Sequence, residues 1–394
     1  MQQRQTVKVR AEKLVAGGDA LAHLDDGRVV FVSGAIAGEL VEAEVTQSKE
    51  SFAKAAATKV VEPSDSRVNA DCPHLAQGCG GCQWMHIAAP AQHEAKIEIV
   101  RESLRRITKI AEPDVRKGGA VTAIGGRMVM RFAVDEGGRL ALRAAASNRL
   151  VRIERCQVAH ASINAVLPIS GWDADTEVVL HVESASGDVA VASDSRVPDA
   201  ARAVLRTGSA AFTTETVNGE RVRIDSGSFY QGCIGSDDAL VDAVARAAGD
   251  SFLAGENGQV IDAYGGVGLF AVALVPADVE CTVIELAQSS ADDARINLAD
   301  RKARVIESAV EDWQPEPAGL VIADPSRRGL GPEAADVLAA TEAERIVLVS
   351  CDAAAGARDI GLLINRGYMF VYSEVLDLFP NTPHVEVVTR LDRE

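Results

Sequence analysis

The chain has 394 residues, of which 47% are hydrophobic and 25% are charged. This length predicts two or three domains, and the composition is typical of a folded protein rather than a disordered one. The sequence contains no signal-type apolar stretch and no run of about 18 apolar residues, so we expect a cytoplasmic protein with no membrane partner. Seven cysteines without a secretory signal argue against a disulfide framework.

The net charge of −17 is distributed unevenly along the chain. Residues 1–160 contain 23 Lys and Arg against 19 Asp and Glu, whereas residues 161–394 contain 17 against 38. A basic region on an acidic protein can bind a phosphate backbone, because binding depends on the charge of the contact face rather than on the total charge. An acidic protein with no polyanionic partner is the alternative interpretation.

Residues 1–65 are predicted to form a small β-barrel of the OB type. Short segments of alternating hydrophobicity, such as 28–32 and 41–45, are separated by Gly and Asp at regular spacing. Barrels of this type often bind single-stranded or looped RNA, and a structural spacer is the alternative function.

Cys72, Cys79 and Cys82 form a close group in which two glycines separate the last two cysteines. This spacing is typical of a metal site, because glycines let the backbone fold tightly around the metal. A fourth thiolate is needed, and Cys156 is the candidate because the other three cysteines belong to the C-terminal part of the chain. Four cysteines fit either Zn²⁺ or an iron–sulfur cube. Zinc sites usually contain two close pairs, so this spacing favours the cube over zinc and over four unligated thiols.

The rest of the chain is predicted to divide near residue 224. Residues 66–224 are expected to form a strand-rich central domain that contains the cysteine group, with a helical segment at 91–118 that packs on the following domain. Residues 225–394 alternate between strands and helices, which predicts a doubly wound parallel sheet of the α/β class.

A glycine-rich turn at 262–268 follows the first strand of this predicted sheet. Glu285 ends the next strand, where a carboxylate can accept hydrogen bonds from both hydroxyls of a ribose. The turn and the acidic residue together fit S-adenosylmethionine or a nicotinamide nucleotide.

Cys351 comes directly after the apolar run 346–349 and one serine. At the carboxyl end of a strand near a nucleotide-type loop, its thiol is placed to act as a nucleophile on a bound ligand. The alternative is a buried cysteine that serves as a small hydrophobic residue, as most free cysteines do.

These motifs together resemble the RNA uracil-C5-methyltransferase family, in the bacterial ribosomal-RNA branch that has a TRAM module and an iron–sulfur cluster. The resemblance covers nearly the whole chain and implies a Rossmann-like class I methyltransferase domain that binds S-adenosyl-L-methionine. It identifies the N-terminal barrel with TRAM and implies a [4Fe-4S] cluster bound by Cys72, Cys79, Cys82 and Cys156. It also implies six cofactor-binding residues: Gln231, Tyr264, Gly266, Gly268, Glu285 and Asp324.

Catalytic roles are implied for Cys351 and Glu386. The Cys351 thiolate would add to uracil C6, C5 would take the methyl group from the sulfonium, and Glu386 would remove the C5 proton. The substrate is expected to be a uridine flipped out of a looped RNA. The resemblance thus implies formation of 5-methyluridine in 23S rRNA by a monomeric enzyme. The sequence departs from the family pattern at Ser326, at Asp352 and at 232–233.

Other functions remain open at this point. Methylation of uridine in tRNA uses the same chemistry, but that branch typically lacks the TRAM module and the cysteine group, which favours ribosomal RNA. A non-catalytic RNA-binding factor with a methyltransferase fold is disfavoured by the presence of Cys351, Glu386 and Asp324. A nicotinamide oxidoreductase leaves Cys351 and the cysteine group unexplained.

Overall fold

The N-terminal region is a six-stranded sheet. A computed structural model describes residues 5–394, so the first four residues of the predicted 1–65 domain lie outside the described part. The strands are β1 (Thr6–Arg10), β2 (Lys13–Leu14), β3 (Ala20–His23), β4 (Val29–Ser33), β5 (Leu40–Ser48) and β6 (Phe52–Glu62). Their order is β1–β5–β6–β4–β3–β2, with antiparallel neighbours except β4 and β6. Alternate residues of β4, Val30 and Val32, are fully buried, which is the period-two pattern of a strand with one buried face.

A long helix and a strand follow, and both pack against the sheet that the C-terminal part of the chain forms. After a short helix α1 (Pro73–Ala76), helix α2 covers Ala89–Thr108 and strand β7 covers Val115–Ala120. In contrast to the helical segment predicted for 91–118, the helix ends at Thr108. Lys109 caps it in a left-handed conformation with φ of 64°, and Pro113 disfavours its continuation because proline lacks a backbone N–H.

A second six-stranded sheet forms the middle of the chain. Its strands are β8 (Val129–Val134), β9 (Leu140–Arg143), β10 (Leu150–Arg152), β11 (Glu177–Val182), β12 (Val189–Ser193) and β13 (Leu205–Arg206). Their order is β10–β9–β8–β11–β12–β13. Two short helices, α3 (Ala161–Val166) and α4 (Asp199–Arg202), and a hairpin of β14 (Phe212–Val217) and β15 (Glu220–Asp225) complete this region.

The C-terminal region alternates between strands and helices, as the sequence predicts. Its helices are α5 (Ser236–Ala248), α6 (Asp250–Leu253), α7 (Leu269–Leu274), α8 (Gln288–Asn297), α9 (Gly331–Ala340) and α10 (Ala353–Ile364). Its strands are β16 (Val260–Ala263), β17 (Cys281–Glu285), β18 (Ala303–Glu307), β19 (Leu320–Ala323), β20 (Arg345–Ser350), β21 (Tyr368–Asp377) and β22 (Glu386–Arg393).

These seven strands and β7 form an eight-stranded sheet of order β18–β17–β16–β19–β20–β22–β21–β7. The five strands from β18 to β20 are parallel, whereas β22 is antiparallel to both of its neighbours. Strands β17 and β18 are added on one side of β16, and β19 is then added on the other side of β16, so the strand order reverses there. A doubly wound sheet binds its ligands at such a reversal, beyond the carboxyl ends of the strands.

The early elements α2 and β7 lie against this C-terminal sheet. β7 pairs in parallel with β21 at the sheet edge, and α2 packs on α10 and β21. Within residues 5–394, no helix combines the length and the apolar character needed to cross a membrane.

Candidate active site

The predicted catalytic residues and the acidic cofactor-binding residues meet at one end of the C-terminal sheet, where the parallel strands have their carboxyl ends. Glu285 ends β17, Asp324 follows β19 and Cys351 follows β20, so all three stand at the carboxyl ends of parallel strands. Because β22 runs in the opposite direction, its first residue, Glu386, lies at the same edge. Ser350 pairs with Val387, which places Cys351 and Glu386 at adjacent positions of neighbouring strands.

Cys351 lies in an acidic environment. Burial, followed by the charges of Glu386 and Asp324, raises the pKa of the Cys351 thiol to about 11. Burial also raises the pKa of Asp324 to about 7, and burial and Asp324 together raise the pKa of Glu386. The Arg327 guanidinium opposes these effects by lowering the pKa of both Cys351 and Glu386. The site therefore combines a thiol, two carboxyls whose pKa values are raised, and one cation.

Sequence reasoning gave no role to Arg327, although it belongs to the same loop as Asp324. Arg327 is exposed, and it makes no hydrogen bond or ion pair with any residue in 5–394. Leu330 N donates to Asp359 Oδ2 at 2.9 Å, which ties the end of this loop to α10. Gly329 has φ of +81°, and a Cβ there would lie 2.2 Å from Asp359 Oδ2, so this turn requires glycine.

The raised pKa of Cys351 predicts its chemical reactivity. Because the thiolate is the reactive form, alkylation by iodoacetamide should be slow at pH 7 and accelerate by up to about tenfold per pH unit as pH rises toward the pKa. Mass spectrometry of the peptide that contains Cys351 measures this rate separately from the other cysteines. A rate that does not change between pH 7 and pH 9 would contradict the protonated thiol.

The glycine-rich turn is shaped by close contacts with the neighbouring strand. A Cβ on Gly265 would lie 2.5 Å from Val283 Cγ1, and Gly266 and Gly268 have positive φ. Gly266 N donates to Glu285 Oε2 at 2.9 Å, while Ala287 N donates to Oε1 at 2.6 Å. These bonds fix the Glu285 carboxylate against the turn, where its remaining lone pairs can accept hydrogen bonds from a ligand.

Two further features of this turn were not predicted. Tyr264 takes a left-handed conformation with φ of 60° at the start of the turn. Asp262 is fully buried, and its Oδ2 accepts a hydrogen bond from Ala271 N at 3.2 Å. Its Oδ1 has no partner among the described residues, and burial raises the pKa of Asp262 to about 7. A buried carboxyl beside Glu285 with one oxygen left unpartnered is an additional candidate for ligand contact.

Gln231 lies in the loop between β15 and α5. Its side chain is buried, whereas the preceding Phe229 is 75% exposed. Between them, the Tyr230 hydroxyl donates to Asp237 Oδ2 at 2.9 Å and fixes the loop to α5. Asp293 on α8 fixes the start of this loop, because its carboxylate accepts hydrogen bonds from Asp225 N and Ser228 Oγ.

Asn297 on α8 connects this loop's strand to the glycine turn. Its Oδ1 accepts from Arg223 N at 2.8 Å, and its Nδ2 donates to Arg223 O and to Val267 O, each at 2.9 Å. The side chain thus joins the two segments that carry the predicted cofactor-binding residues, without itself being one of them.

We expect Asn297→Ala to weaken binding of S-adenosylmethionine by roughly 5- to 50-fold, because buried backbone groups of both segments lose their partner. Calorimetry measures this change, and the rate at saturating cofactor should fall much less. Asp292→Asn, on the exposed face of the same helix, is the matched control and should bind like the wild type. Equal affinities of the two variants would contradict this role.

The four cysteines of the predicted cluster line a single cavity of about 350 Å³. Burial, followed by the charges of the other three thiols, raises the pKa of Cys82 to about 12. Two of these cysteines are fixed by local contacts. Cys79 forms an isolated β-bridge with Ala144, and the Asn164 side chain exchanges hydrogen bonds with the backbone of Cys156. Four thiolates so close together would repel one another. A positively charged metal group between them would offset this repulsion and hold them in the thiolate form.

This convergence does not by itself identify a metal. No group of three or more His, Cys, Asp or Glu side chains in the described part of the chain is arranged to hold a single metal ion. The [4Fe-4S] cluster therefore stays a prediction.

Comparison with known proteins gives consistent similarities. Residues 2–58 match the TRAM domain family. An uncharacterized RNA methyltransferase of Streptomyces coelicolor is 32% identical, over 98% of this chain and 92% of its own length. Another from Gloeobacter violaceus is 31% identical, over 99% of this chain and 97% of its own. The solved structure of Pyrococcus abyssi tRNA (uracil-54, C5)-methyltransferase with S-adenosyl-L-homocysteine matches with a TM-score of 0.73 and 22% identity, over 98% of this chain and 100% of that chain.

Proposed function

Since this chain belongs to the RNA uracil-C5-methyltransferase family, we propose that it forms 5-methyluridine in RNA through a transient bond between Cys351 and the uracil ring. The chain is an S-adenosylmethionine-dependent RNA methyltransferase with a class I fold and a TRAM domain. A non-catalytic RNA-binding factor and a nicotinamide oxidoreductase are thereby excluded. The placement of Cys351, Glu386 and Asp324 at one sheet edge is the observation that supports the specific reaction.

The proposed reaction proceeds by addition, methyl transfer and elimination. The Cys351 thiolate adds to C6, and the electron pair of the C5–C6 double bond moves toward O4 as an enolate. C5 then attacks the methyl carbon, and the electrons of the sulfur–methyl bond remain on S-adenosylhomocysteine. Glu386 takes the C5 proton, the C5–C6 double bond forms again, and the C6–sulfur bond breaks to release the thiolate.

The neighbouring groups fit these steps. Arg327 favours the thiolate, which would otherwise be rare because burial raises the pKa of Cys351. Asp324 would hold the uracil edge or the methionine end of the cofactor beside the thiol. Glu285 would bind the ribose, and Gln231 would contact the methionine part of the cofactor. The protein backbone of the glycine turn with Tyr264, Gly266 and Gly268 would approach the cofactor closely.

The [4Fe-4S] cluster is part of the same proposal. Cys72, Cys79, Cys82 and Cys156 would hold it, and the cluster would supply a covalent cross-link between two distant segments of the central region. The 1–65, 66–224 and 225–394 domains, the monomeric state, the OB-type closure of the N-terminal sheet and a cytoplasmic location likewise remain predictions.

Iron analysis tests the cluster. We expect about four iron atoms per chain in protein purified without oxygen, and Cys156→Ser should lose most of this iron because a ligand is removed. Cys351→Ser is the matched control, since it removes a thiol outside the cavity. One zinc atom and no iron per chain would contradict the cluster.

Two RNA classes are candidates for the substrate. The cysteine group and the TRAM domain favour 23S rRNA. The full-length match to the Pyrococcus abyssi enzyme, named for tRNA, means that this overall architecture does not by itself distinguish the two. We therefore propose 23S rRNA first and tRNA second, with a looped or single-stranded uridine as the target in both.

Mapping of 5-methyluridine identifies the substrate. RNA from a strain that lacks this gene should lose 5-methyluridine at one or more positions of 23S rRNA, as measured by mass spectrometry, and a plasmid copy should restore it. Loss from tRNA alone would select the second candidate. Unchanged 5-methyluridine in both RNA classes would contradict the proposed function.

A further inference from the structure

The cavity lined by the four cysteines extends toward the predicted active site. Its volume of about 350 Å³ is in the range of small-ligand sites. Its walls also include Arg127, Arg327, Phe379 and His384. Of these, Arg327 acts electrostatically on Cys351, which connects the cavity to the predicted nucleophile. A cluster would occupy the space between the thiols, so these other walls are left for a second ligand.

The charge of these walls selects an anion. Three arginines line the cavity: Arg131, which is already paired with Glu177 at 2.8 Å, and Arg127 and Arg327; none of its described lining residues is Asp or Glu. This is unusual in a chain with 57 acidic residues. Arg127 donates from Nε to Val129 O at 3.2 Å and from Nη1 to Cys233 Sγ at 3.9 Å, and Arg327 has no hydrogen-bond or ion-pair partner in residues 5–394. N–H donors on both side chains remain for a phosphate.

Aromatic rings lie beside these cations. The Phe379 and His384 rings meet edge to face with centroids 6.0 Å apart, and the Arg127 guanidinium carbon is 6.0 Å from the Phe379 centroid. Both rings are half-buried, so each keeps an accessible surface. Ring surfaces next to cations are the combination that binds unpaired nucleotides by stacking and charge.

The segment that carries the two rings is fixed before any ligand binds. Trp84 N donates to Asn381 O at 2.9 Å, and Asn381 N donates to Gln92 Oε1 at 2.7 Å. Lys96, which is fully buried, donates to Phe379 O at 2.9 Å. A wall held by α2 and by the segment that carries Trp84 loses little conformational entropy on binding, which favours a ligand site over a mobile surface loop.

We propose, on the basis of the proposed function, that this part of the cavity binds one nucleotide that flanks the target uridine, with its phosphate between Arg127 and Arg327 and its base against Phe379 and His384. The target uridine would then enter at Cys351 while its neighbour is held on the side of the cysteine group. The enzyme would read RNA through two adjacent unstacked nucleotides instead of one.

Binding of a short fluorescein-labelled oligouridine to the full-length, cluster-containing protein tests this site. Anisotropy titrations without S-adenosylmethionine should show affinity reduced about tenfold in Phe379→Leu and in Arg327→Gln. Arg327→Gln should also lower the slope of log affinity against log salt by about 0.7, as expected for one lost phosphate contact. Arg202→Gln, an exposed arginine outside the cavity, should match the wild type.

Iron content and S-adenosylmethionine affinity, measured on each variant, separate a lost contact from a damaged fold. If both variants bind oligouridine like the wild type, the nucleotide site is overturned. If Arg327→Gln loses iron while its salt slope is unchanged, the arginines only neutralise the cluster, and the site is again overturned. Because these titrations involve no methyl transfer, reduced binding in the variants would support the site even if 5-methyluridine mapping refuted the proposed function.

Discussion

Replacing Cys351 with alanine should reduce methyl transfer to RNA by a factor on the order of 10⁴ or more. Without the thiolate, no C6 adduct forms, and C5 remains too weak a nucleophile to attack the sulfonium. Binding of S-adenosylmethionine should stay nearly unchanged, because the predicted cofactor-binding residues lie on other strands and loops. Transfer of labelled methyl groups measures the first effect, and calorimetry measures the second.

Cys281→Ala is the matched control for this variant. Cys281 is also a thiol of the parallel sheet, but it begins β17 and therefore lies at the opposite edge from Cys351. It should retain methyl transfer. Substantial activity in Cys351→Ala would contradict the covalent mechanism, whereas equal losses in both variants would indicate a general effect on the sheet.

The Glu386→Gln variant should accumulate a covalent protein–RNA adduct. Addition and methyl transfer do not need the Glu386 carboxylate, but the C5 proton then has no acceptor and elimination cannot follow. A denaturing gel should show a shifted band that requires S-adenosylmethionine and disappears when Cys351 is also replaced. The multiple-turnover rate should fall by roughly 10²- to 10⁴-fold, the usual contribution of a general base.

Glu374→Gln is the control for this experiment, since Glu374 is also a buried glutamate of the same sheet but pairs with Arg246. It should form no adduct. Normal turnover of Glu386→Gln would assign the proton transfer to another group, with Asp324 the next candidate because its pKa is raised to about 7.

The family and the α/β class were predictable because their signals are local. The glycine turn at 262–268, the acidic Glu285 and the apolar run before Cys351 each occupy a few consecutive residues, and strand–helix alternation is a periodic pattern. The RNA methyltransferase family, the TRAM domain and the class I fold are confirmed. The roles of individual site residues stay predictions, although the structure brings Cys351, Glu386 and Asp324 together.

What the sequence did not reveal depends on contacts between distant segments. The free guanidinium of Arg327 acquires significance only once β19, β20 and β22 are neighbours. The unpaired oxygen of Asp262 depends equally on how tightly α7 closes over the turn. Strand β7 shows the same limit, because the strand that pairs with it lies near the other end of the chain and no local pattern reports it.

The pairing of β7 with β21 also sets an order of assembly during synthesis. Val115 and Ser373 are paired positions of the two strands, so about 250 residues are synthesised between them. At 5–20 residues per second, β7 waits roughly 13–50 s on the ribosome for its neighbour. For most of that time the buried face of α2 also lacks α10, against which it packs. The first and last thirds of the chain therefore complete each other's core only after translation is almost finished.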